Sequence, residues 1–161
     1  MSKTAAAPFS AEEQAQLRSW TTRYPYPMMG LIEAMRQVQE WRRQIRPEDE
    51  LYLAELFKTS AAHVHSVATF FPYFTAQPVG RHRIGLCRTL SCALAGSDKM
   101  AARLEAKLGV KEGAVTPDGR LSFERMECLG ACEQAPALLV NEELHGKATE
   151  ALVDSLVEKL K

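Results

Sequence analysis

Four cysteines are the residues of this chain whose type and spacing can do chemistry. They form two pairs, Cys87 with Cys92 and Cys128 with Cys132, spaced Cys-x4-Cys and Cys-x3-Cys. A cluster with two irons needs four thiolates, two for each iron, and two separate loops can supply them. Gly96 and Gly130 lie close to these cysteines, and a glycine lets a loop approach a bridging sulfide and adopt a positive φ. The spacing therefore favours a [2Fe–2S] site.

Two other uses of four cysteines stay open at this point. A structural zinc site also takes four cysteines, although its two pairs usually repeat one short knuckle, and here the two spacings differ. A redox-active dithiol needs Cys-x-x-Cys at the start of a helix, and the sequence has no such motif. In a reducing compartment, metal ligands and redox groups are commoner uses of cysteine than structural disulfides.

The composition argues against several other tasks. Lysine and arginine number 20 and aspartate and glutamate also number 20, whereas binding to nucleic acid or to a membrane surface relies on excess positive charge. No apolar stretch approaches the roughly 20 residues that span a bilayer, and the first residues lack the apolar segment of a secretory signal. We therefore expect a cytoplasmic protein. The sequence contains neither Gly-x-Gly-x-x-Gly nor a P-loop, so we expect no nucleotide site in this chain.

Residues 1–75 contain no cysteine and are predicted to be helical. The elements that position the cysteines come after this first region. Ser10 with Glu13 has the pattern of a capping box. Pro47, followed by three acidic residues, is typical of a helix start. The predicted helices run from just after Ser10 to about residue 23, from about 29 to 45, from Pro47 to about 57, and from just after Ser60 to about 67.

The second region, residues 76–161, mixes strands and helices. We expect a strand that leads into Cys87, a helix over 94–108, a turn at 117–119 with a strand on either side, a strand over 137–140 and a last helix over 148–160. The apolar stripes of the two helices are predicted as Met100, Leu104 and Leu108, and as Leu152, Leu156 and Leu160. The order of these elements suits a small α/β sandwich, so each cysteine pair is expected just after a strand.

Three motifs around the cysteines resemble a known family. They are Val67-Ala68-Thr69-Phe70-Phe71, Pro78-Val79-Gly80-Arg81-His82 before Cys87, and Glu127-Cys128-Leu129-Gly130-Ala131-Cys132 followed by Ala135-Pro136. These residues are similar to the 24 kDa family, the thioredoxin-like [2Fe–2S] subunits of respiratory complex I, which is the NADH–quinone oxidoreductase of bacteria. The resemblance covers about 28–160 and is weakest over the first 25 residues.

The resemblance implies an α+β fold, with an N-terminal helical bundle followed by a thioredoxin-like α/β domain. It implies that Cys87 and Cys92 ligate one iron of a [2Fe–2S] cluster, and that Cys128 and Cys132 ligate the other. The implied partner is a larger flavoprotein that binds NADH and FMN, and the implied task is one-electron transfer within an NADH-oxidising complex. No catalytic residue beyond the cluster ligands is expected. The complex places the chain at the cytoplasmic side of a membrane, without a direct membrane span.

Three rival functions remain at this stage. Similar subunits occur in NAD-linked hydrogenases and in NAD-dependent formate dehydrogenases, with the same four ligands. A free thioredoxin-like ferredoxin is a second rival, although such carriers are usually shorter and lack a helical extension. A zinc-stabilised interaction module is the third.

The charge near the second cysteine pair leads to a hypothesis about the cluster. Glu124, Glu127 and Glu133 surround this pair in sequence. Because negative charge disfavours an added electron, these carboxylates are expected to lower the reduction potential.

Overall fold

A computed structural model of the chain describes residues 8–160. The ends of the two predicted domains, residues 1–7 and 161, lie outside the described residues. The chain separates into two compact units between Pro78 and Val79, three residues beyond the boundary that was predicted after residue 75.

The first unit consists of helices whose starts are fixed by local sequence. Ser10 caps the first helix, because its hydroxyl accepts the backbone N–H of Glu13 at 3.2 Å while the Glu13 carboxylate accepts the N–H of Ser10 at 2.7 Å. Pro47 opens the third helix, where its missing N–H costs nothing. The predicted capping box and helix start are therefore confirmed. The helices are α1 (Ala11–Thr22), a 3-10 helix (Pro27–Gly30), α2 (Leu31–Arg42), α3 (Pro47–Phe57) and α4 (Ala61–Phe70).

The core of the first unit is apolar, with one buried charge. Side chains from all four helices and from Phe74 pack together in it. Asp49, at the start of α3, is fully buried. Arg42 reaches its carboxylate at 3.1 Å, and Arg46 donates its backbone N–H at 3.0 Å. The two arginines offset part of the cost of burying this carboxylate, but burial still raises the pKa of Asp49 above its usual value.

The second unit is built on a four-stranded mixed sheet. Its strands are β1 (His82–Cys87), β2 (Leu121–Met126), β3 (Leu138–Val140) and β4 (Glu143–His145), in the spatial order β2-β1-β3-β4. β1 is central, parallel to β2 and antiparallel to β3, and β4 is antiparallel to β3. The strands predicted into Cys87 and over 137–140 are confirmed, whereas β4 was not predicted. The strand predicted before the turn at 117–119 is reduced to a single bridge between Val115 and Ser122.

The sheet is accompanied by the helices α5 (Leu90–Leu94), α6 (Ser97–Leu108) and α7 (Glu150–Lys159) and by a short 3-10 helix (Cys132–Gln134). The helix predicted from residue 94 is wrong at its start, because Gly96 adopts a positive φ of 101° and separates α5 from α6. In α7 the buried residues are Val153 and Val157, and the predicted leucine stripe lies beside them, partly buried against the core. No helix within residues 8–160 combines the length and the apolar character that a membrane span requires.

Candidate metal centre

The sheet brings the two cysteine segments to one edge. Cys87 is the last residue of β1, and it pairs with Met126, the last residue of β2. Because β1 and β2 are parallel, their carboxyl ends lie side by side, and Cys128 follows two residues after β2. Backbone hydrogen bonds continue this pairing past the strand ends, since the N–H of Arg88 donates to the carbonyl of Met126 at 3.0 Å.

The two cysteine pairs differ in burial. Cys87 and Cys92 are 2% and 1% exposed and pack against Ala131 and Ala137, whereas Cys128 and Cys132 are exposed. Cys92 lies inside α5, and Cys132 begins the 3-10 helix. The expectation that both pairs lie in loops is therefore wrong for these two residues. All four thiols are free of disulfides.

Backbone N–H groups of the second segment bind the sulfurs of the first pair. The N–H of Leu129 donates to the sulfur of Cys87, and that of Ala137 donates to the sulfur of Cys92. The hydroxyl of Thr89 lies 3.3 Å from the Cys87 sulfur. Within the second segment, the N–H of Gly130 donates to the sulfur of Cys128 at 3.4 Å. The two segments therefore interlock through N–H···S contacts, an arrangement that suits sulfurs carrying negative charge.

The acidities of the buried thiols move in opposite directions. Burial raises the pKa of the Cys87 thiol, but hydrogen bonds from Thr89 and Leu129 outweigh burial and leave this pKa below its usual value. Burial raises the pKa of Cys92 above its usual value, and the nearby sulfurs of Cys87 and Cys132 add to this shift because a second negative charge is unfavourable there. The pair thus holds one thiolate more readily than two. To ligate a metal, both thiols would give up their protons, because a coordinating thiol is deprotonated.

The donor set fits a cluster that takes two thiolates for each iron. The charges of Cys87 and Cys132 both act on the thiol of Cys92, and Leu129, the neighbour of Cys128, contributes a backbone hydrogen bond to Cys87. Among residues 8–160, no group of three or more histidine, cysteine, aspartate and glutamate side chains is arranged to hold a metal ion. The sulfur-rich, hydrogen-bonded pairs provide the ligands and the N–H donors that a [2Fe–2S] cluster uses.

The carboxylates singled out near the second pair have different surroundings. Glu124 forms an ion pair with Arg83, and Glu127 forms one with Arg88. The Glu133 carboxylate accepts a hydrogen bond from the uncharged side chain of Gln134, at 3.0 Å. This hydrogen bond holds the pKa of Glu133 below its usual value. Sequence reasoning missed both ion pairs, because they depend on the register of β1 and β2.

His82 lies away from the cysteines. It begins β1, whereas Cys87 ends this strand. Its Nδ1 lies 3.3 Å from the amide nitrogen of Asn141.

Leu129 and Ala137 were not predicted as donors to sulfur, because every residue except proline has a backbone N–H and the residue type therefore gives no signal.

Comparison with known proteins decides which of the possible metal centres the chain carries. Residues 17–161 match the profile of the thioredoxin-like [2Fe-2S] ferredoxin family. The chain belongs to this family. A [2Fe–2S] cluster is therefore its cofactor, and the α+β fold, with a helical N-terminal part and a thioredoxin-like domain, is confirmed.

Relatives and a solved structure define the resemblance further. The chain is 37% identical to NADH-quinone oxidoreductase subunit 2 of Thermus thermophilus, over 84% of this chain and 78% of the relative. It is 33% identical to an NADH-quinone oxidoreductase subunit of Escherichia coli, over 99% of this chain and 96% of the relative. In structure it is similar to an NAD+-reducing [NiFe]-hydrogenase, with a TM-score of 0.68 and 27% identity over 81% of this chain. The chain spans only 22% of that hydrogenase chain.

Proposed function

We propose that this chain is the electron-transfer subunit of an NADH–quinone oxidoreductase, respiratory complex I. In this proposal Cys87 and Cys92 ligate one iron of the [2Fe–2S] cluster, and Cys128 and Cys132 ligate the other. The observation that carries the proposal is that parallel pairing of β1 with β2 brings the two cysteine segments to one edge of the sheet, in a chain that NADH-quinone oxidoreductase subunits match over most of their own length.

The residues around the sulfurs have separable tasks in this function. When bound, the cluster takes up and returns one electron at a time, in exchange with the FMN of a partner flavoprotein that oxidises NADH. The N–H groups of Leu129, Ala137 and Gly130 stabilise negative charge on sulfur, and they thereby favour the reduced state. Burial of Cys87 and Cys92 excludes water from one side of the site, and the exposure of the other pair leaves a side open to a partner.

The relatives support a proposal for the partner and for the location. NADH-quinone oxidoreductase subunits match this chain over most of their own length, which favours a subunit of this kind as the function. We infer that the chain binds the FMN- and NADH-binding flavoprotein subunit of the complex. It then lies on the cytoplasmic side of the membrane, held there by other subunits and not by a span of its own.

A second candidate function has one specific observation in its favour. The chain is similar in structure to part of an NAD+-reducing [NiFe]-hydrogenase, so it would serve as the diaphorase subunit of a hydrogenase. The NADH-quinone oxidoreductase relatives are more similar in sequence and match over a larger share of their own length, and we therefore place complex I first.

Two measurements test the proposal. The purified chain should be reddish-brown, should bleach with dithionite and should then give the electron paramagnetic resonance signal of one [2Fe–2S] cluster. Cys92→Ala and Cys132→Ala should abolish this signal, while Ser97→Ala, a substitution of comparable size near α5, should keep it. A colourless protein containing zinc would refute the cluster.

The parent enzyme is tested by purification of the tagged chain from its native cells. A flavoprotein accompanied by membrane subunits supports complex I. A partner that contains nickel supports the hydrogenase and overturns the first choice.

A further inference from the structure

An ion pair spans the two cysteine segments at the open edge of the sheet. Arg88 follows Cys87 directly, and Glu127 precedes Cys128 directly. The Nε of Arg88 donates to the Glu127 carboxylate at 3.0 Å, and a second guanidinium nitrogen donates to the same oxygen. The backbone N–H of Arg88 also donates to the carbonyl of Met126 at 3.0 Å. Arg88 thus connects the two segments both through its side chain and through its backbone.

The two charges belong to opposite pairs of ligands. Arg88 places a positive charge next to a ligand of one iron, and Glu127 places a negative charge next to a ligand of the other. Net charge near an iron–sulfur cluster is one of the factors that set its potential. A positive charge favours the added electron and a negative charge disfavours it, and in the ion pair the two effects largely cancel.

We propose that Arg88 and Glu127 set the reduction potential of the cluster as a pair, because the positive charge of one offsets the negative charge of the other. This inference rests on the ligand assignment of the proposed function. It also revises the expectation that Glu127 simply lowers the potential. In the intact pair the two effects cancel, and each charge acts on the potential only when the other is removed.

The surface position of the pair limits its stabilising role. The side chains of Arg88 and Glu127 are 56% and 65% exposed, and exposed ion pairs contribute little to folding stability. Loss of the pair therefore leaves the fold intact, so that changes in potential can be measured on folded protein. Because exposed charges are screened by salt, the effect on the potential is expected to shrink as ionic strength rises.

The experiment measures the midpoint potential of the full chain, purified with its cluster, in four forms. These are the wild type, Arg88→Gln, Glu127→Gln and the double variant, each titrated with electron paramagnetic resonance detection at low and at high salt. Arg88→Gln should shift the midpoint downward and Glu127→Gln should shift it upward. The double variant should lie close to wild type, and high salt should reduce both single shifts.

A matched control comes from the same two strands. Arg83 and Glu124 form a second cross-strand ion pair, but Arg83 lies four residues before Cys87 and Glu124 four residues before Cys128. Arg83→Gln and Glu124→Gln should move the midpoint less than the variants of Arg88 and Glu127 do.

The outcomes separate this inference from the proposed function. Single shifts of the same sign, or a midpoint equal to wild type in both single variants, overturn the charge balance and leave the cluster assignment standing. A purified wild-type chain without a [2Fe–2S] signal overturns the proposed function itself.

Discussion

Gly130 is the residue at which backbone conformation most directly affects the proposed cluster ligands. It lies between Cys128 and Cys132 and has a φ of 74°. In this conformation its N–H points to the sulfur of Cys128, at 3.4 Å. No atom beyond its chain neighbours lies within 4 Å of the place where a Cβ would be added. Gly130→Ala therefore meets no steric clash, and its cost is conformational alone.

The magnitude follows from this geometry. A residue with a Cβ pays about 1–2 kcal/mol in the left-handed region, and an alanine recovers about 0.4–1 kcal/mol by restricting the unfolded chain. The net loss is about 1 kcal/mol, which is a factor of roughly 5 in an equilibrium constant. If the loop must hold this conformation to keep the cluster, the cluster should be lost about fivefold faster to a chelator.

The assay compares glycine-to-alanine variants that have the same conformational cost at different positions of the chain. Gly119 has a φ of 70° and equally open surroundings, but it lies in the turn at 117–119. Gly119→Ala should reduce the free energy of unfolding in urea by a similar amount without changing the rate of cluster loss. Gly130→Asn should lie between wild type and Gly130→Ala, because asparagine tolerates the left-handed region better. Equal rates of cluster loss for Gly130→Ala and Gly119→Ala would refute the reasoning.

Three further predictions concern charge, burial and reactivity. Glu133→Gln should raise the midpoint potential, because it removes an exposed negative charge next to Cys132, and an unchanged midpoint in a redox titration would contradict this. After the cluster is removed by a chelator, alkylation followed by peptide mass spectrometry should find Cys128 and Cys132 modified before the two buried cysteines; the reverse order would contradict the burial. Asp49→Ala should cost about 3 kcal/mol in urea unfolding, because two arginines lose their buried partner, whereas the exposed Glu48→Ala should cost less than about 0.5 kcal/mol.

The helix starts of the first unit could be predicted because their causes are local. The hydroxyl of Ser10 and the carboxylate of Glu13 are three residues apart, and the capping box needs no other part of the chain. Pro47 fixes its own φ in the same way. The four cysteines and the glycine between the second pair are also evident from the spacing, and the assignment of these cysteines as ligands stays a prediction.

The apolar stripe of α7 could not be predicted with the same certainty. Leucines and valines occupy neighbouring positions of this helix, so that more than one stripe has helical spacing. The sheet selects Val153 and Val157 as the most buried, and it leaves Leu152 and Leu156 at the margin of the core. Such a choice depends on what packs against the helix, which periodicity does not contain. Strand pairing is equally hidden, and with it the ion pairs of Arg83 and Arg88.

Strand order also explains why two cysteine pairs of similar spacing differ in exposure. Cys87 ends β1, which is central in the sheet and has neighbours on both sides, whereas Cys128 follows β2, which is an edge strand. Protein therefore covers the first pair and leaves the second open to solvent. A partner that exchanges electrons with this site has the shortest approach where the covering is absent. For the proposed function, this places the contact with the flavoprotein on the side of Cys128 and Cys132, the side that the ion pair of Arg88 and Glu127 also borders.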